Sequence, residues 1–407
     1  MFASYQAVLT RPGALAFSLS GLVGRLPISM VSLGLVLLVE DATGSYGAAG
    51  AVAAAYVIGV ALLAVVNGRL LDRFGQRRVL PLAITLSSAS LGATMLAVED
   101  GATAPVPHLL AALAGASMPQ IGSCVRARWA YLLRDDPRLH TAFSYEAVID
   151  ETVFILGPAI VTILATTWHP VAGLATAIAC GLAGSLALSV QTRTQPPPAP
   201  PRRTAGPRPP MPWGVLVVLI GTSAMLGAVF GGAEVATVAL ADERGRPAWA
   251  GPLLGIWALG SLLAGLTFGA IAWRTSHLLR FRWAATALAL SLVPLPFIGS
   301  LLVLAPVLLL AGLAISPTLI TLTALVEQTV PPARLTEGLA VVHSGMAAGI
   351  APGAAIVGIV IDAEGASASF WVVVVAGVLG ALTAWTLRHR RVGAGRPPVL
   401  PPTSPVA

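Results

Sequence analysis

Charged side chains stand inside several long apolar runs of this chain, where they need pairing, hydration or a chemical role. Arg25 lies in the first run, Glu146, Asp150 and Glu151 lie together in the fifth, and Glu234 lies in the seventh. A carboxylate in such surroundings is costly unless it is paired or hydrated. Loss of an arginine partner favours the protonated carboxyl group, and its return favours the charged form. We therefore predict reversible proton binding at one or more of these carboxylates.

The three carboxylates of the fifth run do not share one environment if the run is a helix. Glu146 and Asp150 are four residues apart and lie on one face, whereas Glu151 points about 100° away from Asp150. Arg126 comes at a similar depth in the preceding run, and we expect it to pair with Glu146 or Asp150. Two interpretations stay open: a structural ion-pair cluster, which is favoured for Glu146, and a proton site at Asp150 or Glu151.

The composition places these residues in a membrane protein. The chain has 407 residues, of which 56% are hydrophobic and 10% charged, and its mean hydropathy is +0.84. A soluble domain carries about 25% charged residues. The net charge of +7 does not indicate nucleic-acid binding, because the basic residues are concentrated between the apolar runs. The sequence therefore excludes a soluble enzyme and a nucleic-acid-binding protein, and it predicts a lipid bilayer as the surroundings.

Twelve apolar segments predict an all-α membrane protein with twelve transmembrane helices. Each segment is near the length of about 17–25 residues that a helix needs to cross a bilayer. Helices satisfy their own backbone hydrogen bonds in lipid. The segments, numbered 1 to 12, cover about 13–39, 46–66, 78–98, 107–132, 142–167, 170–190, 213–240, 248–272, 281–299, 301–326, 338–361 and 367–387.

The charges between the segments predict the orientation. With the N-terminus inside, the inner connections and the inner ends of the segments hold most arginines, among them Arg11, Arg128, Arg134, Arg138 and Arg334. The outer connections are acidic and hold Glu40-Asp41, Glu99-Asp100, Asp242-Glu243, Asp362 and Glu364. Cytoplasmic loops are the ones enriched in basic residues. We predict a multi-pass protein of the plasma (inner) membrane with both termini in the cytoplasm.

A proline-rich stretch divides the chain into two halves. Residues 191–212 favour extended conformations and are predicted to form a cytoplasmic linker between six-helix halves at 1–190 and 213–391. Residues 392–407 are predicted to be a disordered cytoplasmic tail. Gly50, Gly59 and Gly68 match Gly251, Gly260 and Gly269 at one constant offset, which indicates a repeat. Parallel repeats of this kind are typical of transporters that bind their substrate between the halves.

A densely charged motif follows segment 2 and contains Gly68, Asp72, Arg73, Gly75, Arg77 and Arg78. Its spacing resembles the loop signature between helices two and three of the major facilitator superfamily: glycine, x, hydrophobic, x, aspartate, arginine, x, glycine, and then basic residues. The counterpart in the second half keeps Gly269 but has Trp273 in the place of Asp72. The resemblance implies two pseudo-symmetric six-helix halves and a cytoplasmic latch that stabilises the outward-facing state.

Physical chemistry is compatible with a latch at this motif. Gly68 and Gly75 permit close approach of helix ends. Asp72 is able to pair with an arginine or to cap the N-terminus of a neighbouring helix. We expect its partner among the inner ends of helices 4 or 11.

Gly157-Pro158 in segment 5 resembles the core of the antiporter motif of the same superfamily. The chain departs from that motif because Val153, Val161 and Thr162 replace three of its glycines. A proline inside a helix removes one hydrogen bond and favours a bend, so we predict a hinge here. A simple proline kink explains the pair as well as an efflux function does.

Helices 1 and 7 line the central cavity in the fold that the resemblance implies. Arg25 precedes Pro27 in segment 1, and Glu234 follows Gly231-Gly232 in segment 7. We predict that Arg25 pairs with a carboxylate of segment 5 or with Glu234 and so couples the halves. Snorkelling of Arg25 and a purely structural pair are the alternatives.

These features predict a secondary transporter that works by alternating access, with protons as coupling ion and a small, fairly apolar compound as exported substrate. The chain contains no GxxxxGK[ST] sequence and no zinc-ligand spacing, so we expect no ATP-driven pump, enzyme, metal or cofactor. We expect a functional monomer. Two alternatives stay open: an importer of a polar solute such as a sugar or organic anion, with Arg25 as ligand, and a non-transporting membrane sensor or assembly factor.

Overall fold

The structure is a computed structural model that describes residues 2–134, 136, 138–198, 210–271, 273–331 and 334–387. Part of the predicted linker, 199–209, and the predicted disordered tail, 392–407, lie outside the described residues.

The described chain is helical throughout, as predicted. We number the helices after the segments and give their bounds: helix 1, Ala14–Arg25 and Pro27–Thr43; helix 2, Tyr46–Phe74; helix 3, Gln76–Glu99; helix 4, Val106–Ala116 and Ile121–Leu132; helix 5, Leu139–Thr167; helix 6, Pro170–Val190; helix 7, Trp213–Glu243; helix 8, Ala250–Ala270; helix 9, His277–Leu292; helix 10, Leu301–Gly312 and Ile315–Thr329; helix 11, Leu335–Glu364; helix 12, Ala366–Thr386. A short helix, Phe2–Leu9, precedes them.

Eleven helices within the described residues are long and apolar enough to cross a membrane, and helix 4 is the exception among the predicted twelve. Its two pieces have 11 and 12 residues and are separated by residues 117–120. Pro119 lies in this gap, and a proline lacks the backbone N–H that helix continuation needs. The all-α membrane fold is therefore confirmed, and the fourth segment is two short helices in succession.

The two halves repeat the same close contacts, which explains the matched glycines. A Cβ at Gly59 in helix 2 would overlap the Ala112 carbonyl of helix 4, and a Cβ at Gly260 in helix 8 would overlap the Leu309 carbonyl of helix 10. Only glycine permits backbones to approach this closely. The pseudo-symmetry predicted from the sequence is thus visible as equivalent helix pairs, 2 with 4 and 8 with 10.

The hydrophobic core shows how the halves meet. We call the end of the molecule that carries Gly68–Arg78 the basic face, and the end that carries Glu40, Asp242 and Asp362 the acidic face. Toward the acidic face, one core cluster joins both halves and includes residues 30–39 of helix 1 and 235–241 of helix 7. Toward the basic face, the core divides into two clusters, one in each half. The halves are therefore packed together at the acidic face and separate toward the basic face.

Candidate functional site

Arg25 is held at a break in helix 1. The first piece of the helix ends at Arg25, and the second begins at Pro27. The Arg25 side chain is 4% exposed; its Nη1 donates to Asp150 Oδ1 at 2.7 Å, and its Nη2 pairs with Glu146 Oε2. The predicted partners of Arg25 were a carboxylate of helix 5 or Glu234, and in the structure Arg25 pairs with the carboxylates of helix 5. This contact lies within the first half and does not link the two halves.

Glu146 is the fully buried member of this group. Its side chain is 0% exposed, and its Oε1 accepts a hydrogen bond of 2.8 Å from Trp129 Nε1. A buried carboxylate is stable only where hydrogen bonds and a counter-charge satisfy it, and Trp129 and Arg25 supply both. Glu146 therefore fixes the position of Arg25.

Arg126 and Asp150 form the accessible side of the same group. They are joined by an ion pair, and their side chains are 41% and 33% exposed. Arg126 pairs with Asp150, one of the two partners expected for it. We call Arg25, Arg126, Glu146 and Asp150 the Arg25 cluster. It contains two positive and two negative charges and is neutral as a unit.

Glu151 stands apart from the Arg25 cluster, as its helical position predicts. It is half-buried, and among the described residues it has no hydrogen bond or ion pair. Neither arginine of the cluster bonds to it. It is thus a carboxylate beside, and outside, a neutral charge network.

Glu234 is the second carboxylate without a cationic partner. It is half-buried in helix 7, and its Oε1 is buried with no hydrogen-bond partner in the described part of the chain. The Ser32 hydroxyl of helix 1 approaches the carboxylate from the other half. Ser32 lies seven residues beyond Arg25, which is about 10 Å along a helix. Glu234 is therefore in a separate polar layer, closer to the acidic face than the Arg25 cluster.

A pair of aromatic rings lies about one helical turn from Glu234. Phe230 is one turn earlier on the same face of helix 7, and its ring lies 5.0 Å, centroid to centroid, from the ring of Trp257 in helix 8. Trp257 is 5% exposed, and its indole Nε1 has no hydrogen-bond partner among the residues that are described. We call Ser32, Phe230, Glu234 and Trp257 the Glu234 pocket.

The charged motif after segment 2 is mostly helical, which corrects the predicted loop. Helix 2 continues to Phe74 and helix 3 begins at Gln76, so the only interruption is Gly75, with φ of +82°. The helix continues through residues 67–74 because they contain no proline, and the single Gly68 is tolerated within it. Gly75 supplies the positive φ that the turn requires.

Of the two glycines of this motif, Gly75 is closely packed and Gly68 is not. A Cβ at Gly75 would lie 2.8 Å from Gln195 Nε2, and Gln195 Oε1 accepts from the Arg77 backbone N–H at 3.1 Å. The start of the linker thus packs on the motif. A Cβ at Gly68 would meet no atom within 4 Å, so the close approach expected there is not made in this conformation. Asp72 is exposed and makes no hydrogen bond or ion pair to any described residue.

Arg128 has a structural role that sequence reasoning missed, because its position resembled that of a loop arginine. It is 0% exposed. Its guanidinium donates to Gln76 Oε1, to the Gln191 and Leu188 carbonyls and to Thr194 Oγ1, at 2.7–2.9 Å. Arg128 therefore ties helices 3, 4 and 6 to the first residues of the linker.

A smaller ion-pair group lies between helices 4 and 5. Arg138 Nη2 donates to Asp136 Oδ2 at 2.6 Å, and Arg11 Nη2 does so at 3.1 Å. The hydrogen bonds from Arg138 hold the pKa of Asp136 below its usual range. These contacts tether the segment before helix 1 to the connection before helix 5.

Helix 5 is continuous through Gly157 and Pro158, where a hinge was predicted. Gly157 lies against Ser29 of helix 1, and a Cβ there would overlap the Ser29 hydroxyl. On the other side, a Cβ at Gly251 of helix 8 would overlap the Pro158 carbonyl. Both glycines permit close packing, and the Gly251 contact joins the two halves.

Asp362 forms a polar contact between the halves, whereas from the sequence it was expected only as an acidic residue of an outer connection. It lies near the end of helix 11 and accepts hydrogen bonds from Ser45 Oγ at 2.7 Å and from the Tyr46 and Gly47 backbone N–H groups at 2.9 Å each. It thereby caps the N-terminus of helix 2. The available signal was a carboxylate at the acidic end of helix 11, on the side of the membrane where helix 2 begins and leaves its first N–H groups free.

No three histidine, cysteine, aspartate or glutamate side chains gather into a group suited to a metal ion within the described ranges. The arrangement instead offers a neutral ion-pair cluster, two unpaired carboxylates and a contact that closes one face. These are parts for binding and conformational change.

A sequence profile described as Major Facilitator Superfamily matches residues 17–334. Among curated protein sequences, none matches this chain with significance. The fold is similar to that of many solved structures, three of which follow. For a D-xylose–proton symporter, the TM-score is 0.69 at 17% identity, over 93% of this chain and 99% of that one. For the xylose transporter XylE from E. coli in an inward-open conformation, the values are 0.64, 15%, 91% and 95%. For an auto-inhibited peptide transporter of the POT family, they are 0.68, 12%, 91% and 96%. At these identities the likeness shows the fold alone.

Proposed function

We propose that this chain, which belongs to the major facilitator superfamily, exports a small, fairly apolar compound in exchange for protons. Membership of the family makes it a membrane transporter and not an enzyme. The direction, the coupling ion and the nature of the compound are our proposal.

One observation carries the coupling proposal: Glu151 and Glu234 have no cationic partner, whereas Asp150 and Glu146 share Arg25 and Arg126. Protonation neutralises a carboxylate, and it is most favourable for a carboxylate that lies in apolar surroundings without a positively charged partner. We therefore assign proton uptake to Glu151 and Glu234. The Arg25 cluster keeps its charges balanced and holds helices 1, 4 and 5 in place around them.

The described conformation supplies one state of an alternating-access cycle. We take the basic face as cytoplasmic, in line with the arginine distribution. The core is then joined at the outer face and divided at the inner face, which is the arrangement expected of an inward-facing state. In this state the compound enters, and Asp72 of the basic motif has no described partner. Rocking of the halves would engage Asp72, release Asp362 and open the outer face.

Arg25 argues against the importer of an organic anion that the sequence left open. An anion-binding arginine needs donors that face the cavity, but Arg25 is 4% exposed and both of its terminal nitrogens are occupied by carboxylates. An anion would have to displace Glu146 or Asp150, which leaves a buried carboxylate without its partner.

The proposal is tested in proteoliposomes with an imposed pH gradient. We would compare the uptake of a panel of apolar compounds, with neutral, cationic and anionic members of similar size, in vesicles with an acidic lumen and in vesicles without a gradient. Gradient-dependent uptake of at least one compound, abolished by a protonophore, is the expected result. Transport that is indifferent to the gradient would refute proton coupling.

Substitutions then test the assignment of the carboxylates. Glu151→Gln and Glu234→Gln keep the side-chain size but remove the proton site, so each should reduce gradient-driven uptake. Facilitated diffusion of the same compound without a gradient is the control, because it requires a folded protein but no proton. Full gradient-driven uptake in both variants would refute the assignment.

A further inference from the structure

We propose that the Glu234 pocket binds an organic cation that carries a hydrogen-bond acceptor, so that the exported compound is a lipophilic cation. This inference rests on the proposed export function and specifies its substrate class.

The charge of the pocket supports a cation. Glu234 Oε1 is buried without a hydrogen-bond partner in the described chain, and Ser32 is the polar side chain that approaches the carboxylate. The nearest arginine along helix 1, Arg25, is about 10 Å from Ser32 and is occupied by Glu146 and Asp150. A bound cation would supply the missing counter-charge, whereas an anion would be repelled.

The aromatic rings favour the same ligand. The Phe230 and Trp257 rings, 5.0 Å apart, offer an apolar surface one turn from the carboxylate. Aromatic faces attract organic cations through their quadrupole, and the attraction is stronger where water is excluded. A ligand with apolar groups around a positive centre would therefore meet both of its requirements in this pocket.

The unused indole N–H adds a requirement for an acceptor. Trp257 is 5% exposed and its Nε1 has no described partner, although a buried indole N–H usually finds an acceptor. A carbonyl or ether oxygen on the ligand would satisfy it. Because Ser32 belongs to the first half and the other three residues to the second, a ligand here would contact both halves.

The charge requirement is tested by ligand binding to the purified full-length protein in nanodiscs at constant pH. Tetraphenylphosphonium and tetraphenylborate have similar size and shape but opposite charge. We expect the cation to bind about tenfold or more tightly than the anion, and Glu234→Gln to weaken cation binding by about tenfold. Glu364→Gln, at an exposed carboxylate of the acidic face, is the matched control and should leave cation binding unchanged. Equal affinity for both ions, or an unchanged affinity in Glu234→Gln, would overturn the inference.

The acceptor requirement is tested with butyltriphenylphosphonium and (2-methoxyethyl)triphenylphosphonium, which have side chains of equal length and differ by one ether oxygen. We expect the ether to bind about threefold or more tightly, because its oxygen accepts from Trp257 Nε1. Trp257→Phe keeps an aromatic ring and should abolish this difference while it retains cation binding. A difference that persists in Trp257→Phe would show that the indole is not the donor. An unchanged affinity of Trp257→Phe for the probe without an acceptor oxygen shows that this variant is folded.

The outcomes separate this inference from the proposed function. Cation binding without pH-driven uptake would leave the pocket assignment standing and refute proton coupling. Conversely, pH-driven uptake of neutral compounds, together with no preference for tetraphenylphosphonium, would support the function and refute the cation pocket.

Discussion

Arg25 illustrates how a single charge is made tolerable among apolar helices. Arg25 lies beside the interruption of helix 1 at Leu26 and faces helix 5, where Glu146 and Asp150 satisfy its terminal nitrogens. The sequence predicted a partner in helix 5 or helix 7, but it could not choose between them. That choice depends on which helices are neighbours at the depth of Arg25, and this is a property of the packed molecule.

The Arg25 cluster predicts a large effect of removing one charge and a smaller effect of removing two. Arg25→Met leaves Glu146 buried without a counter-charge and should lower the free energy of unfolding by about 3–5 kcal/mol. The pair Arg25→Met with Glu146→Met should recover much of that loss. Thermal unfolding of the detergent-solubilised protein measures both, and a single variant as stable as the parent would contradict the role of Glu146.

At the level of the helices, glycine contacts and one carboxylate hold the halves together at the acidic face. Helix 8 meets helix 5 at Gly251, and helix 11 meets helix 2 at Asp362. The sequence revealed the glycines as a repeat, since their offset is constant. It did not reveal which glycines contact the other half, because that depends on the conformation of the molecule.

Removal of the cap on helix 2 should favour opening of the acidic face. Asp362→Ala removes the acceptor for Ser45, Tyr46 and Gly47, and loss of an N-cap costs about 1 kcal/mol, which is about a fivefold change in the population of the closed face. Spin labels at Asp100 and Phe297, both exposed at this end of opposite halves, should report longer distances. Glu364→Ala, two residues further, is the control and should leave the distances unchanged.

Gly251 should tolerate no side chain in the described conformation. A Cβ there would lie 2.7 Å from Ala159 Cα, so Gly251→Ala must push helix 8 away from helix 5. We expect either the same opening of the acidic face or a loss of about 1–3 kcal/mol in unfolding free energy. Gly221→Ala is the control, since a Cβ there meets no atom within 4 Å. Unchanged distances and stability in Gly251→Ala would contradict the contact.

At the scale of the whole molecule, two carboxylates at opposite ends of the pair formed by helices 2 and 11 suggest how the acidic and basic faces close in turn. Asp362 of helix 11 caps helix 2 at the acidic face, while Asp72 near the end of helix 2 has no described partner at the basic face. The family resemblance predicted a latch at Asp72. The structure adds a closed contact at the other end, which is expected to open when the latch engages.

The orientation of the molecule makes a direct prediction for cysteine labelling. In a chain whose native Cys124 and Cys180 are replaced by serine, a cysteine at Asp41 should react with a membrane-impermeant maleimide in intact cells. A cysteine at Arg77 should react only after permeabilisation, because the arginine-rich face is expected inside. Both side chains are exposed, so access to the residue itself is equal. The reverse pattern would invert the proposed direction of transport.

The sequence by itself determined the membrane class, the all-helical fold, the repeat and the list of costly charges, because hydrophobic length and spacing are local properties. It also determined that Glu151 stands apart from Glu146 and Asp150, since helical geometry fixes their directions. Only the tertiary structure decided that Arg25 pairs with helix 5, that Phe230 packs against Trp257, that Arg128 is buried and that Asp362 closes the acidic face. These outcomes depend on contacts between residues 27 to 317 positions apart in the chain, which no local pattern specifies.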